Sequence, residues 1–471
     1  MQLANRPIFK KIISLRFFVG LFSTILNCMA LYIILSVTHT PNLDSDWGMI
    51  FGWKPWMGEG WWKLVGIMIF IVLSTLGAGE SFLKNKNVKQ IYPKKDDSKT
   101  NNSKNSEEKP FHIQLPKYIS EEQIIEKTMS IAKKMNVKVS SIFIGHNPIP
   151  NAFTTFAIDY GNIVFINSNL LDILDEKSIE AVIAHEIGHI KGDDVLHKIG
   201  NSLPMQVMRS WTILIVFQCI GIMFLSPSLW IFCKRFLLVI TTFLCFGMLT
   251  RFLNKYVLWF SRIKEKIADA YAVEYTSIEG MMNGLLRLNE RSHTLQTFIK
   301  ALKQEDADIN QEVIQIALHN FPTGSKTEEF IVSKASKFYI EAQLELLIKK
   351  ASVEFTVDEK AQILEMFLQN KTKKETEEKE TEEKETEEKE TEEKEKKEES
   401  HQTEPPFLWQ EFDWNHDGEL QCQELAGLIA ALKERPKALT DAEDDENNTH
   451  PSIRNRILFI AELYAEKFEI K

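Results

Sequence analysis

The 471 residues are enough for more than one domain, and the formal net charge of −10 arises in two solvated stretches rather than along the whole chain. Residues 371–400 hold 15 Glu against 9 Lys, and Asp441, Glu443, Asp444, Asp445 and Glu446 follow. No basic stripe points to nucleic acid as a partner, and the five cysteines lack the paired spacing of a disulfide framework or a thiolate zinc site.

Two apolar runs open the chain, at 13–37 and 64–82. Each approaches the roughly 20 residues that cross a hydrocarbon core of about 30 Å. A cleaved signal is disfavoured, because the first run is long and no small-x-small site ends it. The loop between them carries Trp47, Trp53, Trp56, Trp61 and Trp62, residues that favour the headgroup region. Arg6, Lys10 and Lys11 precede the first run, and Lys84, Lys86 and Lys89 follow the second. The positive-inside rule then places both ends of this pair, 1–84, in the cytoplasm.

Residues 85–110 are expected to be a flexible linker. A helical pattern runs over 118–135, followed by strand-like runs at 137–144, 152–158 and 162–167, with Asp159-Tyr160-Gly161 as the turn between the last two. Asp175 is placed to cap a helix that Gly192 ends. A second apolar pair, 211–232 and 236–260, gives an expected total of four membrane spans. Its first member is interrupted by Ser226-Pro227-Ser228, and Lys234 and Arg235 sit between the two. Residues 291–370 form a helical insert, and 371–405 a solvated spacer built on four Thr-Glu-Glu-Lys-Glu pentads from Thr376 to Thr391. The expected fold is mainly α with a small β-sheet.

The most informative stretch is His185-Glu186-Ile187-Gly188-His189. Helical residues i and i+4 share a face, so His185 and His189 can reach one metal, with Glu186 one step round to polarise a water. A catalytic zinc needs a third protein ligand and an open fourth position. A metzincin extension fails, because position 195 is Val195. His197 would demand a sharp turn directly after the helix. Downstream, Glu265 and Asp269 share a helical face, one suited to ligate a metal and the other to hydrogen-bond a ligating histidine. Taken alone, that segment reads better as a charged, solvated helix, with Lys264, Glu265, Lys266 and Asp269 in solvent-facing pairs.

A different pattern occupies Asp413 to Glu424. Oxygen-bearing side chains fall at loop positions 1, 3, 5 and 12 (Asp413, Asn415, Asp417, Glu424), Gly418 stands at 6, and Glu419 offers its carbonyl at 7. This module, 406–433, resembles a single EF-hand and implies Ca2+. No second loop accompanies it, so pairing with another copy of the chain is the expected form of self-association.

The order of motifs resembles the HtpX-type and CAAX prenyl protease family of membrane zinc metallopeptidases. Asn151-Ala152-Phe153 precedes the metal motif; Ser261, Arg262, Glu265, Ala268 and Asp269 follow an apolar pair; Thr449, His450, Pro451 and Arg456 come last. The resemblance covers 1–290 and about 447–458. It implies a zincin-like (gluzincin) core at 111–290, completed by 434–471, with Zn2+ held by His185, His189 and Glu265 and with Asp269 in support. It further implies that Glu186 is the catalytic base, that Asn151, Ala152 and Phe153 align an extended substrate, and that His450 and Arg456 contact substrate or the oxyanion. Where relatives tend to carry an aromatic residue, this chain has Lys266. The implied protein is a multi-pass bacterial inner-membrane endopeptidase facing the cytoplasm, in contact with lipid and cutting polypeptides, membrane proteins among them. Two alternatives stand beside it: a processing protease for lipidated C-termini, and a calcium-responsive membrane scaffold with a vestigial site.

Overall fold

A computed structural model describes residues 3–38, 88–93, 115–116, 118–147, 149–157, 159–192, 228–322, 328–351, 409–435, 439 and 451–468. The tryptophan loop, the apolar run at 64–82, most of the run at 211–232, His197, the acidic pentads and His450 lie outside the described residues.

Helix α1 (Pro7–Thr38) opens the chain and strand β1 (Val88–Tyr92) follows. That strand falls in the segment expected to be linker, where Val88, Gln90 and Tyr92 alternate with Lys89 and Ile91. Helix α2 (Glu121–Met135) starts on a capping box: the Gln123 N–H donates to Ser120 Oγ at 3.3 Å, and the Ser120 N–H donates to Gln123 Oε1 at 2.8 Å. Its buried stripe is Ile124, Thr128, Ile131 and Met135. Strands β2 (Ser141–Gly145), β3 (Ala152–Ala157) and β4 (Gly161–Asn167) complete a sheet of order β1-β2-β4-β3. Only the β2–β4 pairing is parallel. The β3–β4 turn closes on Gly161 at φ +67, where any Cβ would lie 2.5 Å from Ser140 Oγ. Side chains alternate across the sheet: Ile142, Ile144, Val164 and Ile166 enter the main core, while Phe143, Ile163 and Phe165 form a small cluster on the other face. Strand β3 is an edge strand.

Helix α3 (Ser168–Ile173) leads into α4 (Glu176–Lys191), which carries the metal motif. Asp175 caps α4 by accepting from the Ser178 N–H at 2.7 Å, as the sequence predicts. Ile179, Val182, Ile183 and Ile187 bury one side of α4 against the sheet and its neighbours. Helix α5 (Leu229–Tyr275) is unbroken for 47 residues, about 70 Å at 1.5 Å per residue. It packs on both α1 and α4.

Helix α6 (Ile278–Glu305) crosses the boundary expected at 290 without interruption. Its second half joins α7 (Gln311–Asn320) and α8 (Glu328–Ala351) around a separate core. There Phe298 stacks on Phe321 at 4.2 Å and meets Phe338 edge-on at 5.5 Å. A 3₁₀ turn (Trp409–Phe412), helix α9 (Cys422–Glu434) and helix α10 (Ile453–Leu463) return to the main core, where Leu420, Leu425, Leu428 and Ile457 are fully buried. The loop module is therefore packed into the main core. The two ends of the chain also meet: Arg6 donates to the Leu463 carbonyl at 2.6 Å and lies over the Tyr464 ring.

Of the four expected spans, one and part of a second lie outside the described residues. Among the described residues no helix is long and apolar enough to cross a membrane. What α1 and α5 do show is exposed apolar surface, including Phe17, Phe18, Leu237, Phe243 and Met248.

Candidate active site

Helices α4 and α5 approach closely because both present small residues at their crossing. A Cβ on Gly188 would lie 3.2 Å from Ala268 Cα and 3.3 Å from the Ala268 carbonyl oxygen. This contact brings His185 and His189 of α4 against Glu265 and Asp269 of α5. The His185 and His189 Nε2 atoms are 3.2 Å apart, and Glu265 oxygens lie 3.4 Å from His185 Nε2 and 3.5 Å from His189 Nε2. Tetrahedral ligands about 2.0–2.1 Å from zinc are separated by about 3.3–3.4 Å. The spacing of this trio therefore fits the ion implied by the motif. Among the described residues, it is the only group of three His, Cys, Asp or Glu ligand atoms lying within 4.8 Å of one another.

Asp269 is fully buried and accepts from His185 Nδ1 at 2.8 Å, which leaves Nε2 directed at the trio. Behind it, Arg456 of α10 donates from Nε to Asp269 Oδ2 at 2.9 Å and from Nη2 to Asp269 Oδ1 at 2.5 Å. Expected to touch substrate, Arg456 does border the cleft, but these two donors are committed to Asp269. Burial alone would lower the pKa of His185, yet Asp269 and Glu265 outweigh it and raise it to about 10. The Asp269 carboxylate resists ionisation through burial, but Arg456 and His185 hold it below the ordinary range. A pocket that keeps a proton so firmly has a field suited to a cation.

The trio opens into a cleft of about 630 Å³ bordered by Asn151 and Ala152 of the β3 edge, Glu186, and the apolar side chains of Met281, Leu285 and Leu288. Glu186 is buried beside the ligands. Phe153 points away from the cleft, stacking on Phe165 at 4.6 Å in the outer sheet cluster. His450 lies outside the described residues, next to Pro451 and Ser452, which border the cleft. The contribution of α6 to the cleft wall was not foreseen. Its signal was the repeat of apolar residues at 281, 285, 288, 295 and 299, which runs on past the end of the resembling segment at 290.

The 413–424 loop turns at Gly418, φ +80. Asp413 Oδ2 accepts from the Gly418 N–H at 2.9 Å, while Asp413 Oδ1 is buried with no hydrogen-bond partner among the described residues. Glu424 folds back on the loop, accepting from the N–H groups of Trp414, Asn415 and Gln421 at 2.9, 3.3 and 2.8 Å. Asn415 Oδ1 accepts from the Asp417 N–H, and Asp417 Oδ1 from that of Glu419, each at 2.9 Å. The carboxylates do not converge as the ligand atoms of His185, His189 and Glu265 do. Before the loop the described chain holds only the 3₁₀ turn Trp409–Phe412. The backbone edge that self-pairing would use is taken: the Leu420 N–H donates to Asn283 Oδ1 at 2.9 Å, and its carbonyl accepts from Asn283 Nδ2 at 3.0 Å.

Comparison with known proteins agrees with this geometry. Residues 119–463 match the model of Peptidase family M48. "Protease HtpX homolog 1" of Sulfurisphaera tokodaii is 31% identical over 155 residues, 32% of this chain and 48% of that protein. "Protease HtpX homolog" of Neisseria meningitidis is 29% identical over 181 residues, 37% and 61% of the two chains. "Protease HtpX" of Psychrobacter sp. is 28% identical over 182 residues, 37% and 56%. The chain thus spans about half to three fifths of the length of these relatives, and no solved structure matches it. With the family match covering most of the chain and enclosing His185, His189, Glu265 and Arg456, the chain belongs to peptidase family M48, with HtpX-type proteases as its relatives.

Proposed function

We propose that the chain is a zinc-dependent endopeptidase that hydrolyses polypeptides at a membrane surface. The observation that carries this reading is the triangle of His185, His189 and Glu265 ligand atoms beside Glu186 and an edge strand. Zinc held there supplies a Lewis acid that polarises a carbonyl and brings the pKa of water to about 7. Glu186 takes the proton from the attacking water and returns it to the departing amine. Asp269 fixes the His185 tautomer, and Arg456 neutralises Asp269 so that the histidine keeps its acceptor on Nε2. Among the described residues strand β3 is the last of its sheet, and it begins at Ala152 where it borders the cleft, suited to hold an extended substrate by main-chain hydrogen bonds, with Asn151 beside it. His450, adjacent to cleft residues Pro451 and Ser452, is proposed to contact that substrate.

The membrane setting, with four spans, a cytoplasmic site and membrane proteins among the substrates, rests on the apolar runs, their flanking charges, and the exposed apolar side chains of α1 and α5. Calcium modulation rests on the ligand pattern of the 413–424 loop and the orphaned Asp413 Oδ1. The scaffold alternative makes a different forecast: no zinc in the purified protein and no cleavage.

The test is metal analysis of detergent-purified full-length protein, with cleavage of unfolded casein before and after chelation. One zinc per chain and chelator-sensitive cleavage are expected, and Glu186→Gln should keep the zinc while losing cleavage. Retention of cleavage by Glu186→Gln removes that residue as the base; absence of zinc from wild type removes the peptidase reading.

A further inference from the structure

Helix α6 carries two stripes on nearly opposite sides. Glu279, Asn283, Arg287 and Glu290 form one, and each holds part of the 409–424 segment. Glu279 Oε1 accepts from Cys422 Sγ at 2.8 Å. Asn283 pairs with both backbone groups of Leu420, Arg287 Nη2 donates to the Gly418 carbonyl at 2.8 Å, and Glu290 Oε2 accepts from Trp409 Nε1 at 3.2 Å. The other stripe, Met281, Leu285, Leu288, Ser292 and Leu295, borders the cleft. At about 100° per residue, the two stripes are offset by roughly 200°. Arg287 also pairs through Nη1 with Asp175, the cap of the metal-bearing helix α4, at 3.1 Å.

We propose that α6 is a lever through which ion occupancy of the 413–424 loop sets the shape of the active-site cleft, with Asn283 and Arg287 as its grips. This rests on the reading that the loop binds calcium. The orphaned, buried Asp413 Oδ1 is the second observation, beyond sequence pattern, that points to an ion there. To ligate a cation, the Glu424 carboxylate must release the N–H groups of Trp414, Asn415 and Gln421. That rearrangement moves the backbone between Gly418 and Leu420, the segment α6 grips. Asn283 is buried and makes a two-point pair, as a neighbouring strand would, so it cannot follow the loop without moving its helix. The far stripe of that helix is the cleft wall.

Calcium chloride titrated into zinc-loaded, full-length protein in calcium-depleted buffer tests the proposal without a chelator that would strip zinc. Three readouts are needed: binding heat, KM for an unfolded polypeptide, and hydrogen exchange of residues 281–299. In wild type, calcium should bind, shift KM by threefold or more in either direction, and alter exchange along the cleft stripe. Asp413→Ala should lose all three responses. Arg287→Gln should keep the binding heat and lose most of the KM and exchange responses, with Arg287→Lys intermediate. A purely structural effect of Arg287→Gln would change activity equally with and without calcium. That outcome, or a full wild-type response in the variant, overturns the lever. Calcium heat in wild type without any change in KM or exchange overturns it too, while leaving the loop reading intact. No calcium heat in wild type removes the loop reading and the lever together. Because exchange is read independently of turnover, failure of the peptidase reading is separable from failure of the coupling.

Discussion

Arg456 and Asp269, 187 positions apart, meet in a two-point ion pair directly behind His185, at 2.5 and 2.9 Å. Asp269 has no exposure, so its charge depends on this partner. Arg456→Ala strands a buried carboxylate, a change that costs about 3–5 kcal/mol. Zinc affinity should fall about 10–100-fold as His185 loses its orientation. Arg456→Lys keeps the charge and loses the fork, and should fall between. Competition with a zinc indicator and thermal unfolding, on the same preparations, read the two effects. Unchanged zinc affinity in Arg456→Ala would show that His185 needs no support from α10.

Gly188 stands inside the metal motif, where α4 and α5 touch through backbone. Gly188→Ala forces the helices apart, because Ala268 Cα and its carbonyl cannot swing aside as a side-chain tip can. A destabilisation of about 1–3 kcal/mol is expected from overpacking. A larger relative loss of zinc should accompany it, since the third ligand rides on the displaced helix. Metal content and melting temperature of the variant check both. Full zinc retention would mean the crossing has slack.

Phe298 organises the second core with Phe321 and Phe338. Phe298→Ala should cost about 3–5 kcal/mol locally. Since α6 extends from this core past the cleft, proteolysis should begin in α7 and α8 while the zinc stays bound. Limited trypsin digestion with mass spectrometry distinguishes this from global unfolding.

Cys422 is half-buried. Burial and its hydrogen bond to Glu279 push the thiol up to about 11. At pH 8 its thiolate fraction is about 0.1%, against roughly a quarter for an ordinary cysteine near 8.5. Alkylation at Cys422 should therefore be roughly two-hundredfold slow at pH 8 and accelerate about tenfold per pH unit until about 11. With the folded value above the unfolded one, this thiol's contribution to stability is complete below about 8.5 and declines as pH rises towards 11. Glu279→Gln should speed alkylation several-fold. Rapid labelling of wild type at pH 8 would contradict the burial and bonding described.

Local chemistry was legible in the sequence wherever one element suffices. The i, i+4 histidines, the Asp175 cap and the Asp159-Tyr160-Gly161 turn all follow from short-range rules, and the structure keeps each of them. Long-range choices were not. Glu265 and Asp269 read, on their own segment, as solvent-facing charges until α4 and α5 cross, and Arg456 had no sequence cue towards Asp269. Strand β1 was hidden because five residues inside a Lys- and Asn-rich stretch are too few for a periodic signal. Asn283 was invisible for a similar reason: an asparagine within a helix declares nothing until a foreign backbone docks on it.

The third ligand of the trio and the exposed apolar surface lie on one uninterrupted rod, α5. From Phe252, half-exposed, to Glu265 is 13 residues, about 20 Å along the axis. Whatever medium grips the near end thereby sets the altitude at which the far end operates. Such a rod holds the exposed apolar surface and Glu265 at one fixed separation, so neither can shift along the axis without the other.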